Sequence, residues 1–406
     1  MNSTIHQHCK THCKTPFSTR PTASTRCDGL QALLIGLICF LVYGPTAGGQ
    51  SAWHVEVVDD GHNGNVGMFN SFAIDNRGNF HVCYYDESHD ALLYAYRGVQ
   101  DKQWFIMQVD KQAGQFTSLA VDSHDRPHLA YNSRNLTGLH YAYWDGTRWQ
   151  TQIIDHERTN HFTSLQVDAQ GHPHISYYQE ENPDRTYALH LKYTYFDGKA
   201  WYIETVSRKF ATGKFNSIAL DASGHPHIAY SIVADGDLGY VFWDGSHWVF
   251  QIPDSRRTHN DYVGQGNSIA IDSKGYPQIA YFDLNNRAIK YARWTTLGWQ
   301  IEFIDRVVGN LVQADHLSLK IDRHDQPHVA YYDSGMGTLK YAERDDKGWH
   351  SETVDQGNVG EYPSLSLDNQ DNPYITYYDA AGGQLRIAHF DKPASAPIAI
   401  IPANLP

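Results

Sequence analysis

Residues 118–133 read SLAVDSHDRPHLAYNS, and this stretch decides the fold. Two short runs rich in apolar and aromatic residues flank a polar turn, which predicts two antiparallel strands joined by a tight connection. The opening phrase, a Ser followed four residues later by an Asp, occurs seven times along the chain. The seven copies begin at Ser71, Ser118, Ser164, Ser217, Ser268, Ser318 and Ser364. An internal repeat of this kind indicates one structural unit stacked many times.

The rest of each repeat predicts two further strands. In the second copy, Leu139–Tyr143 forms a third run, Asp145-Gly146 makes a turn, and Trp149 opens a fourth run that ends at Asp155. Asp-Gly between two such runs is a hairpin signal, because both turn residues need a positive φ. Four short strands in a repeat of about 50 residues are typical of a propeller blade. The sequence therefore predicts an all-β, seven-bladed β-propeller.

The two ends of the repeat array predict how the ring closes. A Trp opens the fourth strand in six copies, at Trp104, Trp149, Trp201, Trp248, Trp299 and Trp349. The seventh copy ends at Phe390 without one, while an extra copy precedes the first repeat at Trp53. We therefore expect the N-terminal strand to complete the last blade, which removes the free sheet edges.

The segments outside the repeats divide the chain into three parts. Residues 1–49 place basic residues before the apolar run 30–43 and a Gly-rich end, a pattern that predicts a signal peptide, or a signal anchor with a basic extension. Residues 50–391 form the predicted propeller, and residues 392–406 a Pro-rich flexible tail. The expected location is secreted or extracytoplasmic, in the periplasm or outside the cell. Only Cys83 lies outside the signal segment, so no internal disulfide is expected.

The charge of the chain limits its partners. A net charge of −13 is unfavourable for nucleic acid, since phosphate binding needs a basic surface. We expect a monomer that binds a glycan or a protein, with no nucleic acid and with no membrane contact unless the signal is uncleaved.

The third-to-fourth-strand turns carry a family resemblance. Residues 144–149 (WDGTRW) and 243–248 (WDGSHW) make the chain resemble secreted bacterial propellers with BNR or Asp-box (sialidase-like) repeats. An Asp-box has a Ser before the Asp and a Gly two residues after it, and sialidases have six blades and three arginines that grip a carboxylate. Those features are not matched here, so the resemblance implies the fold and not sialidase activity.

A second resemblance, to seven-bladed BNR-type polysaccharide lyases, rests on residues 81–89, HVCYYDESH. Those enzymes pair His with Tyr and Arg on one face of the ring.

Residues that recur at one position in most blades are interpreted as structural. The Asp that ends the first strand, from Asp75 to Asp368, is expected to cap a turn. Five histidines share a second-strand position, but equivalent positions lie on a ring too wide for one ion, so no metal site is predicted. We expect them to pack between blades with one ring nitrogen hydrogen-bonded. Four acids after the second strands leave Ca²⁺ as an alternative to a turn role; they are Asp86, Asp283, Asp333 and Asp379.

Residues that differ between blades are the candidates for function. They lie in the second-to-third-strand loops and in the loops between blades, which end on the same face of the ring. The candidate ligand-binding residues are His156, Arg158, His161, Arg185, Arg256, Arg257, His259, Tyr262 and His316. His316 replaces an aromatic residue found at this point in five blades, namely Phe69, Phe116, Phe162, Phe215 and Tyr362.

These residue types suit the recognition of an anionic sugar, because Arg binds carboxylate or sulfate through two hydrogen bonds. The leading hypothesis is a secreted propeller that binds a glycan or protein at its loop face. One alternative is a polysaccharide-active enzyme, a lyase on an acidic polymer with His as base and Tyr as acid. Another is a structural module whose loops merely keep it soluble. No catalytic residue and no cofactor is assigned.

Overall fold

The computed structural model describes residues 53–135, 137–158, 162–180, 189–207, 212–255, 262–308 and 316–390. Within these ranges 28 strands form seven antiparallel sheets of four strands each, and the only other regular element is a 3-10 turn at Gly61–Asn63. The prediction of a seven-bladed propeller is confirmed. The signal segment, the tail and the loops between the stated ranges lie outside the described residues.

The strands follow the chain from the axis of the ring outwards in each blade. Blade seven takes its outermost strand from the start of the chain, β1 (His54–Asp59). Blade one contains β2 (Val66–Ile74), β3 (Phe80–Asp86), β4 (Ala91–Arg97) and β5 (Phe105–Lys111). Blade two contains β6 (Ala113–Val121), β7 (Pro127–Ser133), β8 (Thr137–Trp144) and β9 (Trp149–Arg158). Blade three contains β10 (Ser164–Val167), β11 (Pro173–Glu180), β12 (Leu189–Phe196) and β13 (Trp201–Ser207).

The remaining blades repeat this order. Blade four contains β14 (Thr212–Leu220), β15 (Pro226–Ile232), β16 (Asp237–Trp243) and β17 (Trp248–Asp254). Blade five contains β18 (Val263–Ile271), β19 (Pro277–Asp283), β20 (Ala288–Thr295) and β21 (Gly298–Arg306). Blade six contains β22 (Leu317–Ile321), β23 (Pro327–Asp333), β24 (Thr338–Asp345) and β25 (Gly348–Gln356). Blade seven contains β26 (Val359–Leu367), β27 (Pro373–Asp379) and β28 (Gln384–His389), with β1.

Burial explains why the second strand of each blade is a nearly continuous apolar run. Every residue of β3, β19 and β23 is buried, since this strand is covered by a neighbouring blade on both faces. The outermost strands alternate with exposed residues; Phe105 of β5 is 55% exposed. The core is therefore a set of apolar layers between adjacent blades, and no isolated blade could bury its own faces.

The ring closes as the sequence predicts. Strand β1 pairs antiparallel with β28, with His54 opposite His389. Trp53 packs edge-on against Tyr341 of blade six at 5.2 Å between ring centroids, and Trp349 meets Tyr291 of blade five in the same way at 5.1 Å. Trp53 thus takes the position of the fourth-strand Trp that the seventh repeat lacks.

The Ser that opens each repeat joins neighbouring blades. Its hydroxyl oxygen accepts a hydrogen bond from a backbone N–H of an adjacent innermost strand; Ser71 accepts from Leu119 at 3.0 Å. The same bond is made by Ser118, Ser164, Ser217, Ser268, Ser318 and Ser364. The last of these, from Phe72 N–H to Ser364, closes the circle at 2.9 Å. Seven such bonds link the inner strands all the way around the axis.

In six blades a tyrosine on the second strand donates a hydrogen bond to the outermost strand of the blade before it. The Tyr84 hydroxyl donates to Asp59 at 2.6 Å, and Tyr281 donates to Asp254 at 2.6 Å. The same bond is made by Tyr131, Tyr177, Tyr331 and Tyr377. In blade four, Tyr230 faces an outermost strand that ends in Ser207, and burial raises the pKa of its hydroxyl. The ring is therefore held by polar bonds as well as by apolar packing.

We call the face of the ring that carries the first-to-second-strand turns the turn end, and the opposite face the loop end. At the turn end the repeated Asp does what the sequence predicts. Asp75 Oδ1 accepts from Arg77 N–H at 2.9 Å and from Asn79 N–H at 2.8 Å. The other six copies make the same pair of bonds.

The recurring histidines differ in detail from the expectation. His81 has both ring nitrogens engaged, and both partners lie in its own blade: Nδ1 is 2.6 Å from the Tyr94 hydroxyl and Nε2 is 3.2 Å from Asp75 Oδ2. His128, His174, His227 and His328 place Nδ1 beside the corresponding Tyr hydroxyl. His128 also bonds its Asp through Nε2 at 3.4 Å, whereas in the other three Nε2 lies 3.5–3.8 Å from the Asp and makes no hydrogen bond with it. In blade five Gln278 replaces the imidazole between Asp272 and Tyr291. These residues form a buried carboxylate–imidazole–phenol relay that belongs to the scaffold.

The described residues contain no helix long and apolar enough to cross a membrane. The predicted signal segment is not among them, so secretion stays a prediction.

Candidate functional site

The central channel opens at the loop end through a ring of aromatic side chains. One residue near the start of each innermost strand points to the axis, and we call the set of seven the collar. Its members are Phe69, Phe116, Phe162, Phe215, Gly266, His316 and Tyr362. The six collar residues other than Tyr362 line one cavity of about 100 Å³.

The collar rings touch one another around most of the circle. Ring centroids are 4.6 Å apart between Phe69 and Phe116, and 4.4 Å apart between Phe162 and Phe215. The circle continues from Phe116 to Phe162 and from Phe69 through Tyr362 to His316, with centroid distances of 4.6–5.3 Å. Gly266 interrupts it, because it has no side chain to place between Phe215 and His316. We call this interruption the notch.

A backbone distortion aims the collar residues at the axis. The pairing of β6 with β7 shifts register twice, between residues 113 and 115 and between 115 and 118, so the inner strand bulges around Phe116. Phe116 lies in the left-handed region at φ +52, and its four aromatic counterparts lie at φ +51 to +61. A bulky residue in this region costs roughly 1–3 kcal/mol and persists only where its surroundings hold it. Bulges re-aim side chains beside binding sites.

Hydrogen bonds from the next blade hold these strained positions. In four blades the residue after the collar position donates through its side chain to the collar carbonyl of the preceding blade. Asn216 Nδ2 donates to Phe162 O at 2.6 Å, and Asn70 Nδ2 donates to Tyr362 O at 3.0 Å. Thr117 and Thr163 make the same bond to Phe69 and Phe116. The collar is therefore pre-formed and rigid.

The notch carries a polar atom without a partner. Asn267, 7% exposed, donates through Nδ2 to Gly264 O at 2.9 Å, but its Oδ1 makes no hydrogen bond with any described residue. In blade four, the Oδ1 of Asn216 accepts from Ser176 at 2.5 Å. Blade four offers only Ala229 at the position of Ser176, so Asn267 loses its donor. A buried, unpaired acceptor costs about 1–3 kcal/mol, and Asn267 lines the same cavity as the collar.

Acidic and phenolic groups lie beside the collar between blades six and seven. Glu361 precedes Tyr362 and stands opposite Tyr378 in the sheet. Burial raises the pKa of Glu361 above its usual value. Burial also raises the pKa of the Tyr332 hydroxyl, and the charge of Glu361 raises it further. The Tyr378 hydroxyl donates to Asn65 at 2.6 Å.

His316 completes this side of the mouth. Its ring packs against Tyr362, and burial lowers the pKa of the imidazole to about 4. The ring is therefore neutral at pH 7, when it offers one hydrogen-bond donor and one acceptor.

Of the other predicted ligand-binding residues, two have described side chains. Tyr262, 42% exposed, lies directly before β18 at the loop end, where its N–H donates to Asn285 Oδ1 at 3.0 Å. His156 is exposed near the end of the outermost strand β9. Since three strand spacings separate an outermost strand from the innermost strand of its blade, His156 lies roughly 14 Å from the nearest collar strand. The structure places His316 in the collar and His156 at the outer edge, so these two do not form one site.

The remaining predicted residues cannot be placed. His161, Arg185, Arg256, Arg257 and His259 lie outside the described residues, as does the side chain of Arg158. They stay predictions for the rim.

The four acids considered for Ca²⁺ have protein partners. Asp283 binds the Lys290 ammonium at 2.6 Å, and Asp379 binds the Arg386 guanidinium at 2.6 Å. Asp86 Oδ2 lies 2.8 Å from His89 Nδ1, and Asp333 accepts from Val308 N–H at 3.1 Å. Each of the four acids therefore has a partner among the described residues, and Ca²⁺ stays the alternative to a turn role.

At the turn end, crevices open between blades. One of about 570 Å³ lies between blades two and three and is lined by Arg126, Tyr143, Phe196, Lys199 and Trp201 among others. Another of about 400 Å³ lies between blades five and six. In the first, Arg126 already binds Asp122 at 2.6 Å. Tyr141 and Trp201 in its walls recur in most blades, whereas the position of Arg126 is Asn, His, Tyr or Gln in the other blades.

No protein-family model matches the chain, and no curated protein matches it. Solved structures share its fold. A protein of unknown function from Dyadobacter fermentans is similar at 10% identity over 84% of this chain and 100% of its own, with a TM-score of 0.52. The polysaccharide lyase Uly1 is similar at 9% identity over 79% and 89%, with a TM-score of 0.52. The SapL1 lectin, solved with alpha methyl fucoside, is similar at 12% identity over 69% and 94%, with a TM-score of 0.51. At these identities the likeness establishes the propeller fold alone.

Proposed function

We propose that the protein is a secreted recognition propeller that binds a glycan at the collar and leaves it chemically unchanged. The observation that carries this proposal is the notch at Gly266, where an aromatic ring is missing and the buried Asn267 Oδ1 has no donor. A sugar ring has apolar C–H faces and hydroxyl donors at its edge. It therefore complements a mouth that offers aromatic faces and, beneath them, a buried acceptor without a partner, which a sugar hydroxyl reaches once neighbouring side chains move apart.

The aromatic part of the mouth is held in place before a ligand binds. The bulges and the side-chain bonds to Phe69, Phe116, Phe162 and Tyr362 fix the collar before a ligand arrives. Pre-organisation reduces the ordering cost of binding. A sugar hydroxyl could donate to Asn267 Oδ1 in the same way as the Ser176 hydroxyl donates to Asn216 Oδ1 in the preceding interface.

The test is a calorimetric titration of the full chain with a panel of neutral and acidic oligosaccharides, in which stoichiometry is measured together with heat. We expect one equivalent per chain. Phe116→Gly, which copies the residue found at the notch, should weaken binding roughly tenfold because a stacking face is lost. Phe105→Ala removes an exposed phenylalanine from an outermost strand and serves as the matched control.

Three outcomes would contradict the proposal. Binding of several equivalents would move the site to the repeated crevices at the turn end. Equal affinity of the Phe116→Gly variant and the parent would exclude the collar. Absence of binding across the panel would favour a protein ligand.

One observation favours a second candidate, an enzyme that acts on an acidic polysaccharide. His316 is neutral at pH 7, and Glu361 and Tyr332 lie on the same side of the mouth with raised pKa values. Such groups can move a proton in an elimination across a uronate. Incubation with uronate polymers and ultraviolet detection of unsaturated ends distinguishes the candidates. If unsaturated ends form with the parent and not with His316→Phe, the protein is a lyase and not a binder.

A further inference from the structure

The central channel contains a charged side chain near its turn end that breaks the repeat. The residue two positions after the repeated Ser is alanine in four blades, at Ala73, Ala120, Ala219 and Ala270. In the other blades it is Gln166, Lys320 and Ser366. Gln166, Lys320 and Ser366 line one cavity of about 310 Å³ together with two of the alanines and apolar residues of the inner strands.

Lys320 lacks an ion pair with any described residue, which sets it apart from the two other lysines in comparable settings. Lys290 binds both Asp254 and Asp283, and Lys340 binds Asp305. For Lys320 no neighbouring charge offsets its burial, so burial alone lowers the pKa of its ammonium group.

The carboxylate closest to Lys320 along the chain already has hydrogen-bond partners. Asp322, two residues further on, accepts backbone hydrogen bonds from His324 at 2.8 Å and from Gln326 at 2.7 Å, and it faces His328. At the other end of the strand, His316 lies four residues before Lys320, roughly 13 Å away along the strand, and is neutral. Hence neither end of the strand supplies a free anion to the ammonium group.

Lys320 is partly buried, and a charge withdrawn from water without a counter-ion is destabilising, so an anion bound in the cavity would offset this cost. Gln166 belongs to blade three and Lys320 to blade six, so an amide and an ammonium face the cavity from different sides of the ring. The Ser366 hydroxyl donates to Phe72 O at 3.1 Å and so is not available as a further donor. The cavity thus offers two independent N–H donors, one of them charged, to an acceptor that carries negative charge.

We infer that the central channel binds one small oxyanion, a sulfate or a carboxylate, between Lys320 Nζ and the Gln166 amide. The ligand is either a free inorganic ion or the acidic group of a sugar. This site is separate from the collar and does not require the proposed glycan function. Charge-assisted hydrogen bonds are about twice as strong as neutral ones, so Lys320 supplies most of the affinity and Gln166 fixes the orientation.

The experiment is a calorimetric titration of the full chain with sodium sulfate and, separately, with sodium glucuronate, each against a chloride background. We expect one equivalent of at least one probe to bind. Lys320→Met should weaken binding at least tenfold and Gln166→Ala several-fold. Lys274→Met, at an exposed turn of blade five, is the control that keeps full affinity.

A second measurement separates loss of binding from loss of folding. Without oxyanion, Lys320→Met should melt no lower than the parent, because it removes an unpaired charge; if it does not fold, Lys320→Ala restores the residue that four other blades carry. Tighter binding of sulfate would identify a free ion as the ligand, and tighter binding of glucuronate a sugar acid, and either result supports the site. Absence of binding of both probes, or equal affinity of the parent and the Lys320 variants, would overturn it.

Discussion

Each end of the ring presents one equivalent residue per blade, but this residue is the same in all blades at the turn end and differs between blades at the loop end. At the turn end an Asp binds the same two backbone N–H groups in all seven blades, and six blades place a His or Gln between this Asp and a Tyr. At the loop end the collar position is Phe in four blades, and Tyr, His and Gly in the others.

One difference lies in the repeated hydrogen-bond acceptors of the two ends, although unpaired polar atoms such as His328 Nε2 also occur at the turn end. The turn-end carboxylates receive their full set of hydrogen bonds, as at Asp75, whereas Asn267 at the loop end keeps an unpaired acceptor. The repeat is uniform at the turn end, where it stabilises the ring, and it varies at the loop end, where we propose that a ligand binds. Three variants test this comparison.

The largest effect is expected from Asp75→Ala at the turn end. The substitution removes the acceptor for Arg77 N–H, Asn79 N–H and the Asn79 amide, and it leaves His81 without its carboxylate. We expect the free energy of unfolding to fall by about 3 kcal/mol. Urea unfolding measures this, with Asp346→Ala at an exposed turn as the control within about 0.5 kcal/mol. If glycan affinity fell as much as stability, the two ends would not be independent.

A smaller effect is expected from the charge of Asp75 alone. Burial raises the pKa of this carboxyl, but hydrogen bonds from His81 and Asn79 outweigh burial and lower the pKa to about 2, from an ordinary value of 3.8. The unfolded chain therefore binds a proton more readily between pH 4 and pH 2, so the stabilisation is complete above pH 4 and is lost as the pH falls through this window. The contribution is about 2 kcal/mol.

The Asp75→Asn variant keeps an oxygen that can accept the hydrogen bonds of the turn, but it has no titratable carboxyl group. Acid unfolding of the variant, followed between pH 5 and pH 2, should show a shallower loss of stability than the parent. Asp322, whose pKa also lies near 2, remains in the variant and accounts for part of the residual slope. A variant with an unchanged slope would exclude Asp75 as a source of acid sensitivity.

The sequence predicts the fold because the propeller is encoded by repetition. The copies of the Ser-to-Asp phrase, the tryptophans and the displaced Trp53 are local signals whose meaning does not depend on distant contacts. The structural role of the repeated Asp is predictable for the same reason, since the bonds it makes reach only two and four residues along the chain.

The candidate site is only partly predictable, because its chemistry depends on contacts between blades. His316 is visible as a departure from an aromatic pattern. The importance of Gly266 and Asn267 is not visible, because the partner that Asn267 lacks would come from Ala229 of the preceding blade. Lys320 is likewise one polar residue in an alternating strand until the ring places it in the channel. The outer-edge position of His156 shows that a shared face does not imply a shared site.

The smallest effect, and the sharpest test of the comparison, is expected from Ala229→Ser. The hydroxyl would donate to Asn267 Oδ1 as Ser176 donates to Asn216, which converts an incomplete interface into a copy of its neighbour. Satisfying this acceptor should raise the free energy of unfolding by about 1 kcal/mol. Glycan affinity, measured by calorimetry, should fall because the sugar hydroxyl meets an occupied acceptor. Ala280→Ser makes the same change at a buried position of β19 and should lower stability instead. If Ala229→Ser gained stability and kept full affinity, Asn267 would be a defect of packing, and the notch would owe its binding to Gly266 alone.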